Sequence, residues 1–318
     1  MKRALLLAFV AIVLIAAAGA AIGLRTGSGK TSKEVSLTVT RDFGAMPIDE
    51  PETGLRVGQD DTVMRLLQGH YDVATRYGGG FVQEIDGLAG GREAGRRVDW
   101  FYYVNGVEAT TGAAARRVVP GDRIWWDRHE WEAAMRIPAV VGSFPEPFLA
   151  GAEGRRIPVK LVCVGDVERS CDEVETRLGE AGATGLARST IQQGPGEGVV
   201  RVLVGPWSAV RGDPVARTLE EGPAASGVFA RFDSAGRRLA LLDPAGKADQ
   251  TLAAGAGLVA ATAREGQRPT WLVTGTDGAG VAAAAAALQE DRLSNRFALA
   301  IADGEGIGLP TSDVVAEP

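Results

Sequence analysis

A stretch dense in aromatic residues, Arg97–Trp131, constrains the fold of this chain more than any other feature. It carries four of the six tryptophans and a pair of adjacent tyrosines. Asn105-Gly106 favours the positive φ angles of a tight turn. Aromatic and β-branched residues crowd Val98–Val104 before that turn and Arg123–Arg128 further on. Both segments are therefore predicted to be strands.

The two neighbouring tryptophans of the second strand must point in opposite directions, because successive side chains of a strand alternate between its faces. Trp126 shares a face with Ile124 and is assigned to the core. Trp125 lies beside Arg123 and is assigned to the outer face. That face is expected to meet solvent, a ligand or the second half of the chain.

The order of motifs resembles the β-grasp module of the carboxy-terminal domain of transcobalamin. A strand and a helix precede a segment ending in Ile-Asp-Gly, then Trp-x-Tyr-Tyr-Val-Asn-Gly, then Gly-Asp before an aromatic strand. The matching residues are Phe81, Val82, Ile85, Asp86, Gly87, Trp100, Tyr102, Tyr103, Val104, Asn105, Gly106, Gly121, Asp122, Ile124 and Trp126. The resemblance covers about Glu34–Glu132 and implies an α+β β-grasp domain over residues 34–133.

In transcobalamin-type proteins this module caps a cobalamin that a helical barrel holds. No stretch of this chain could form such a barrel, so the resemblance does not by itself imply cobalamin binding. A small ligand, cobalamin-like or otherwise, or an envelope or transport protein is the expected partner. The residues predicted to bind it are Trp100, Tyr102, Tyr103, Asn105, Trp125 and His129. The alternative is an interaction protein whose aromatic face packs on its own second half.

The amino-terminal segment predicts export. Residues 4–24 form an unbroken apolar run of 21 residues after Lys2-Arg3, which is long enough to span a bilayer as a helix. The positive pair favours a cytoplasmic amino terminus and an extracytoplasmic remainder. The run is read either as a membrane anchor or as a signal peptide cleaved near Ala18-Gly19-Ala20, which would release a secreted protein. Residues 1–33 are thus an anchor or signal with its linker.

The second half changes character after a proline-rich connector at residues 134–155. Short apolar segments alternate with helical patterns over residues 156–303, which predicts an α/β domain with a largely parallel sheet. Leu252–Arg264 is expected to be one of its helices and Thr270–Thr274 one of its strands. The acidic tail, residues 304–318, is expected to be disordered.

Few residues of the sequence indicate a catalytic, metal or redox site. Cys163 and Cys171 are the only cysteines, and the inferred export predicts a disulfide, with buried free thiols as the alternative. His70 and His129 lie far apart in sequence with no cysteine near either, so no metal site is predicted. No nucleophile elbow is present, and no cofactor is expected. A net charge of −6 argues against a nucleic-acid partner. The predicted function is non-enzymatic binding, and the resemblance alone links it to vitamin or small-molecule uptake.

The anchor reading predicts that the protein fractionates with membranes and stays there through a high-salt wash. Residues 4–24 would hold it by apolar burial, which salt does not weaken. Membrane fractionation with immunoblotting measures this. A soluble product whose amino terminus begins near Ala21 would show that the run is a cleaved signal instead.

Overall fold

The computed structural model describes residues 33–191 and 198–311. The predicted membrane span, residues 4–24, lies outside these described residues. Among the described residues, no helix combines the length and the apolar character needed to cross a membrane.

Ten strands precede residue 131 in the described part of the chain. They are β1 Val35–Arg41, β2 Met46–Pro47, β3 Glu52–Leu55, β4 Val73–Arg76, β5 Phe81–Ile85, β6 Leu88–Ala89, β7 Gly91–Glu93, β8 Arg96–Val104, β9 Val107–Glu108 and β10 Arg123–Glu130. One α-helix, α1 Val63–Gln68, and a 3₁₀ turn, Tyr77–Gly79, lie among them.

The second half contributes further strands and helices. The strands are β11 Val159–Cys163, β12 Leu186–Ser189, β13 Val200–Pro206, β14 Ala230–Phe232, β15 Leu239–Leu242, β16 Ala248–Leu252, β17 Gly257–Thr262, β18 Thr270–Gly275, β19 Ala298–Ala302 and β20 Glu305–Leu309. The α-helices are α2 Glu168–Glu180, α3 Trp207–Val210, α4 Pro223–Ser226, α5 Gly278–Ala286 and α6 Glu290–Leu293, with a 3₁₀ helix at Ala216–Glu221.

The predicted aromatic strands lie side by side in one mixed sheet, here called the aromatic sheet. Its order is β2-β1-β10-β8-β7, with β3 on β1 and β9 on β8. β1 runs parallel to β10, and β10 runs antiparallel to β8. Asn105 and Gly106 have φ angles of 54° and 75° and close the turn from β8 to β9, as their sequence predicts. Parallel β1 and β10 need a crossover, and α1 lies in the segment between them.

One face of the aromatic sheet is covered by α1. Thr62 caps this helix by accepting a hydrogen bond from the Arg65 N–H at 3.2 Å. The apolar residues of α1, Val63, Met64, Leu66 and Leu67, are buried in the same core as Trp126. Trp126 therefore lies on a core face, the face to which the sequence assigned it.

A second, large sheet has the order β12-β11-β13-β18-β17-β19-β20. Its first three pairings are parallel and its last three are antiparallel. The fold is therefore a strand-rich mixture of α and β structure, and the sheet is mixed rather than largely parallel. The difference arises at β17, which lies within the segment predicted to be a helix. Every residue of β17 is buried, and a continuous apolar run does not distinguish a buried strand from a helix.

The tail prediction is wrong at its first residues. Asp303 and Gly304 have φ angles of 52° and 84°, and they turn the chain so that β20 pairs antiparallel with β19. An acidic, glycine-rich strand at a sheet edge resembles a solvated tail in composition. Residues 312–318 lie outside the described residues.

The proline-rich connector, residues 134–155, is part of the core. Ile137, Val140 and Phe148 are each at most 2% exposed. The Val140 N–H donates to the Gly106 carbonyl at 2.9 Å, and the next N–H donates to the Phe297 carbonyl at 3.2 Å. The connector thus contacts both halves of the chain through backbone hydrogen bonds.

Cys163 at the end of β11 and Cys171 in α2 are joined as a disulfide, with Cα atoms 6.1 Å apart. We expect the double variant Cys163→Ala/Cys171→Ala to lose about 2–3 kcal/mol of free energy of unfolding, because a crosslink over a loop of this length restricts the unfolded chain by that amount. Urea denaturation with and without a reducing agent measures the loss. The reducing agent should destabilise the natural protein and leave the variant unchanged. An identical midpoint for the natural protein under both conditions would contradict the prediction.

Candidate functional site

None of the six predicted ligand-binding residues stands on an open surface. The exposed fractions are 5% for Trp100, 8% for Tyr102, 0% for Tyr103, 3% for Asn105, 3% for Trp125 and 2% for His129. Trp100 and Tyr102 share the core that contains α1. Tyr103 and Trp125 belong to a different core, which includes residues of the second half.

Trp125 and Trp126 lie in different cores, as strand alternation requires. Solvent, a ligand and the second half of the chain were the three expected neighbours of the Trp125 face. The second half covers it. The Phe297 ring lies 5.1 Å from the Trp125 ring and 5.6 Å from the Tyr103 ring, centroid to centroid. Strand parity identifies a face and cannot tell what covers it.

Asn105 is fully engaged in holding its turn. Its side-chain amide donates to Asp122 Oδ1 at 3.0 Å and to the Gly151 carbonyl at 2.9 Å, and its oxygen accepts the Arg123 N–H at 2.8 Å. The side chain therefore fixes the strand register and the connector, and its hydrogen-bonding groups are already occupied where it lines a small cavity.

A buried carboxyl group fixes the orientation of Trp125. The indole N–H of Trp125 donates to Thr40 Oγ1 at 2.7 Å, and Thr40 Oγ1 donates to Asp127 Oδ2 at 2.5 Å. Asp127 also accepts the backbone N–H groups of Phe43 at 3.1 Å and Gly44 at 2.8 Å. Because an unpaired carboxyl group is costly to bury, these partners make the network a fixed support behind the indole ring.

His129 completes the network on the other side of Asp127. Its Nδ1 lies 2.7 Å from Asp127 Oδ1, and its ring is stacked between Phe43 and Phe101 at centroid distances of 4.6 Å and 4.5 Å. Thr40 is fully buried and already donates to Asp127. The arrangement supports the core and does not present a nucleophile with a base to a substrate.

A cavity of about 240 Å³ opens beside Trp125, between the two halves of the chain. Its walls come from β1, β3 and β10 of the aromatic sheet and from connector residues Gly142 and Ser143. Glu290 at the start of α6, and Ser294 and Asn295 after that helix, complete them. We call it the Trp125 cavity. The cavity is lined by Trp125, which was a predicted site residue, and by polar side chains that the sequence analysis did not identify.

Six neutral polar side chains line the Trp125 cavity. None of them has a side-chain hydrogen bond within residues 33–191 and 198–311. They are Ser36, Thr38, Thr53, Ser143, Ser294 and Asn295. Ser143 is buried, Thr53 and Ser294 are exposed, and the other three are half-buried. These side chains can bind water or a ligand.

The charged groups of the cavity include one ion pair across the two halves. Arg123 Nη1 lies 2.6 Å from Glu290 Oε1, and the same nitrogen donates to the Phe144 carbonyl at 3.0 Å. Arg123 belongs to the aromatic sheet and Glu290 to α6. The ion pair lines one side of the cavity, and the positive charge of Arg123 and the negative charge of Glu290 offset each other there.

Two glycines let the backbone press against the Trp125 ring. A Cβ atom on Gly142 would lie 2.7 Å from Trp125 Cζ3 and 2.7 Å from the Arg296 nitrogen. Gly44 has a φ angle of +80°, and a Cβ atom there would lie 2.1 Å from the Asn295 carbonyl oxygen. Any side chain at these positions would push the two halves apart at the cavity.

A larger cleft of about 580 Å³ lies at the opposite end of the same strands, facing the turn between β15 and β16. Arginines engage three of its five carboxylates in ion pairs, Arg41–Asp42 at 3.4 Å, Arg96–Glu130 at 3.1 Å and Arg128–Glu93 at 2.7 Å. Burial, opposed by Arg41, raises the pKa of Asp42. The cleft is a solvated, ion-paired surface.

Metal ligation has no support within the described ranges. No group of three or more His, Cys, Asp and Glu side chains is placed there to hold an ion. His70 lies on the surface with its Nδ1 3.8 Å from Glu52 Oε1, far in sequence from the buried His129.

Comparison with known proteins gives a partial match. A family model described as Domain of unknown function (DUF4430) matches residues 60–130, from α1 to β10. A crystal structure of a "putative metal binding protein" from Ruminococcus gnavus ATCC 29149 is 16% identical, with a TM-score of 0.25. The similarity covers 31% of this chain and 98% of that protein. No curated protein matches the sequence.

Glu146 fixes the connector turn that carries Ser143 and Phe144. It is 1% exposed, and it accepts the backbone N–H groups of Ala150 at 2.8 Å and Gly151 at 3.2 Å. Burial raises the pKa of Glu146 to about 7, although these hydrogen bonds lower it. A group whose pKa is higher in the folded state stabilises the fold most at low pH and loses that contribution as the pH rises through the folded value.

We therefore expect the free energy of unfolding to decline between about pH 4.5 and pH 7, with Glu146 contributing up to about 3 kcal/mol of the decline. Glu146→Gln, which stays neutral, should make the decline shallower. Urea denaturation at pH 5 and pH 8 measures it, with Glu153→Gln, an exposed glutamate of the same connector, as the control. Equal pH dependence in the natural protein and Glu146→Gln would argue against a raised pKa.

Proposed function

We propose that this chain is a non-enzymatic binding protein that works outside the cytoplasm and holds a small polar ligand in the Trp125 cavity. One observation carries the proposal: a cavity with unpartnered polar side chains lies where the two halves of the chain meet. Ligand sites are typically cavities lined by apolar residues with a few placed polar groups. The Asp127 network and the two close-packed glycines give the cavity a rigid wall, which limits the entropy lost on binding.

The size of the cavity limits the ligand. The cavity has a volume of about 240 Å³. Pockets for drug-sized molecules occupy roughly 300–1,000 Å³. The proposed ligand is thus much smaller than cobalamin. Trp125 remains a site residue, while Trp100, Tyr102, Tyr103 and His129 support the core.

We also propose that the aromatic sheet and α1 form a β-grasp module related to that of transcobalamin. The parallel pairing of β1 with β10, the antiparallel β8 beside β10 and the helix packed on one face support this. We further propose that residues 4–24 attach the protein to a membrane with the rest outside. The disulfide supports that location, because such bonds persist in oxidising compartments.

The second candidate function is an interaction protein in which the covered aromatic face serves only to join the two halves. The buried ring cluster of Phe43, Tyr103, Trp125 and Phe297 favours it. Under this alternative the Trp125 cavity contains only water, and a partner protein binds elsewhere. The two candidates differ in whether a small molecule enters the cavity.

Filling the cavity separates the two candidates. Thr38 is half-buried, lies opposite Trp125 in the β1–β10 pairing and makes no side-chain hydrogen bond, so Thr38→Phe should fill the cavity at little cost in stability. Thr75→Phe, on the exposed face of β4, is the matched control. We expect the full chain to bind at least one of glucose, putrescine and citrate in saturation-transfer NMR. Thr38→Phe should abolish that signal and Thr75→Phe should keep it.

A signal that survives Thr38→Phe would place the ligand outside the Trp125 cavity. The absence of a signal from all three probes would favour the interaction protein. Thermal melting of both variants verifies that each remains folded.

A further inference from the structure

We infer that the ligand of the Trp125 cavity is neutral and carries several hydroxyl groups, as a monosaccharide or a cyclic polyol does. This inference rests on the proposed function and specifies its ligand class. It follows from the hydrogen-bonding capacity, the burial and the charge of the cavity walls.

The hydrogen-bonding groups of the cavity are matched to hydroxyl groups. Five of its six unpartnered polar side chains are serine or threonine, and the sixth is Asn295. A hydroxyl both donates and accepts, and an amide offers two donors and an acceptor. A ligand that satisfies such a set must also donate and accept at several positions. A ring with hydroxyl groups on successive carbons does so in a small volume.

Ser143 shows that the site is built into the protein. It is 4% exposed, it lines the Trp125 cavity, and its hydroxyl has no partner within the described residues. The turn that carries it is held by Glu146 through the Ala150 and Gly151 N–H groups. A hydroxyl on a fixed turn of the cavity wall can both donate to and accept from a ligand.

The apolar walls leave little surface for an apolar ligand. Val35, Ile124 and Trp125 line the cavity but are 0%, 1% and 3% exposed. Affinity must therefore come mainly from hydrogen bonds. Since a single hydrogen bond to a neutral partner contributes only modestly to affinity, a ligand with several hydroxyl groups is favoured over one with a single polar group.

The cavity offers no buried charge to a charged ligand. Arg123 and Glu290 neutralise each other at 2.6 Å. Glu34, which also lines the cavity, is exposed at its rim, where solvent and salt screen its charge. A charged ligand would lose hydration without gaining an opposite charge, whereas a neutral polyol would not.

Isothermal titration of the full chain tests the ligand class. The neutral probes are glucose, galactose, mannose and myo-inositol, and the charged analogues are glucosamine and glucuronate. We expect at least one neutral probe to bind about tenfold more tightly than either charged analogue, with an affinity that salt does not change. Maltose presents the same ring at the end of a chain, so its binding alongside glucose would indicate a glycan end rather than a free sugar.

Variants connect the binding to the cavity. Ser143→Ala should weaken the neutral probe about three- to tenfold, the loss of one hydrogen bond. Thr75→Ala, an exposed change on β4, should leave the affinity unchanged. Thr38→Phe should abolish binding.

The outcomes separate this inference from the proposed function. Tighter binding of glucosamine or glucuronate that Thr38→Phe abolishes would overturn the neutral ligand class and keep the cavity as a binding site. Binding of none of the neutral probes would overturn the inference. Binding that persists in Thr38→Phe would overturn both proposals, because the ligand would then lie elsewhere.

Discussion

The buried carboxyl group of Asp127 is the interaction on which the rest of the structure depends. It accepts hydrogen bonds from Thr40 and from two consecutive backbone N–H groups, and it contacts His129. Through Thr40 it sets the orientation of Trp125, and the second half of the chain packs against that ring. The carboxyl group can be buried only because all of these partners surround it. The aromatic sheet, the packing of the two halves and the cavity wall therefore share one polar support.

Much of the aromatic sheet was predictable from the sequence, because its signals are local. Asn105-Gly106 defines a turn, and the alternation around Trp125 and Trp126 defines two faces. The second half was less predictable. β17 is a continuous buried run that could equally have been a helix. β20 is an acidic, glycine-rich edge strand whose pairing with β19 depends on the turn at Asp303-Gly304.

The candidate site was predictable only at Trp125, which strand parity separated from Trp126. Its other groups lie on segments without a periodic pattern and come together only through tertiary packing. Ser143 lies in the connector after β10, whose sequence has no regular pattern. Ser294 and Asn295 come from a loop far along the chain. The closest sequence signal is the pair of prolines that flank Glu146, which indicates a fixed turn. No local sequence pattern indicates that the backbone at Gly142 packs against the indole ring of Trp125.

The parallel pairing of β1 with β10 imposes an order on folding. Ser36 pairs with Arg123, so the centre of the aromatic sheet forms only after residues distant in sequence have been made. The outer face of this sheet is covered later still, because Phe297 packs on Tyr103 and Trp125. Contacts between such distant residues slow folding. A chain released from the ribosome or a translocation channel in amino-to-carboxyl order would expose these rings until the second half emerged, and it would benefit from a chaperone during that interval.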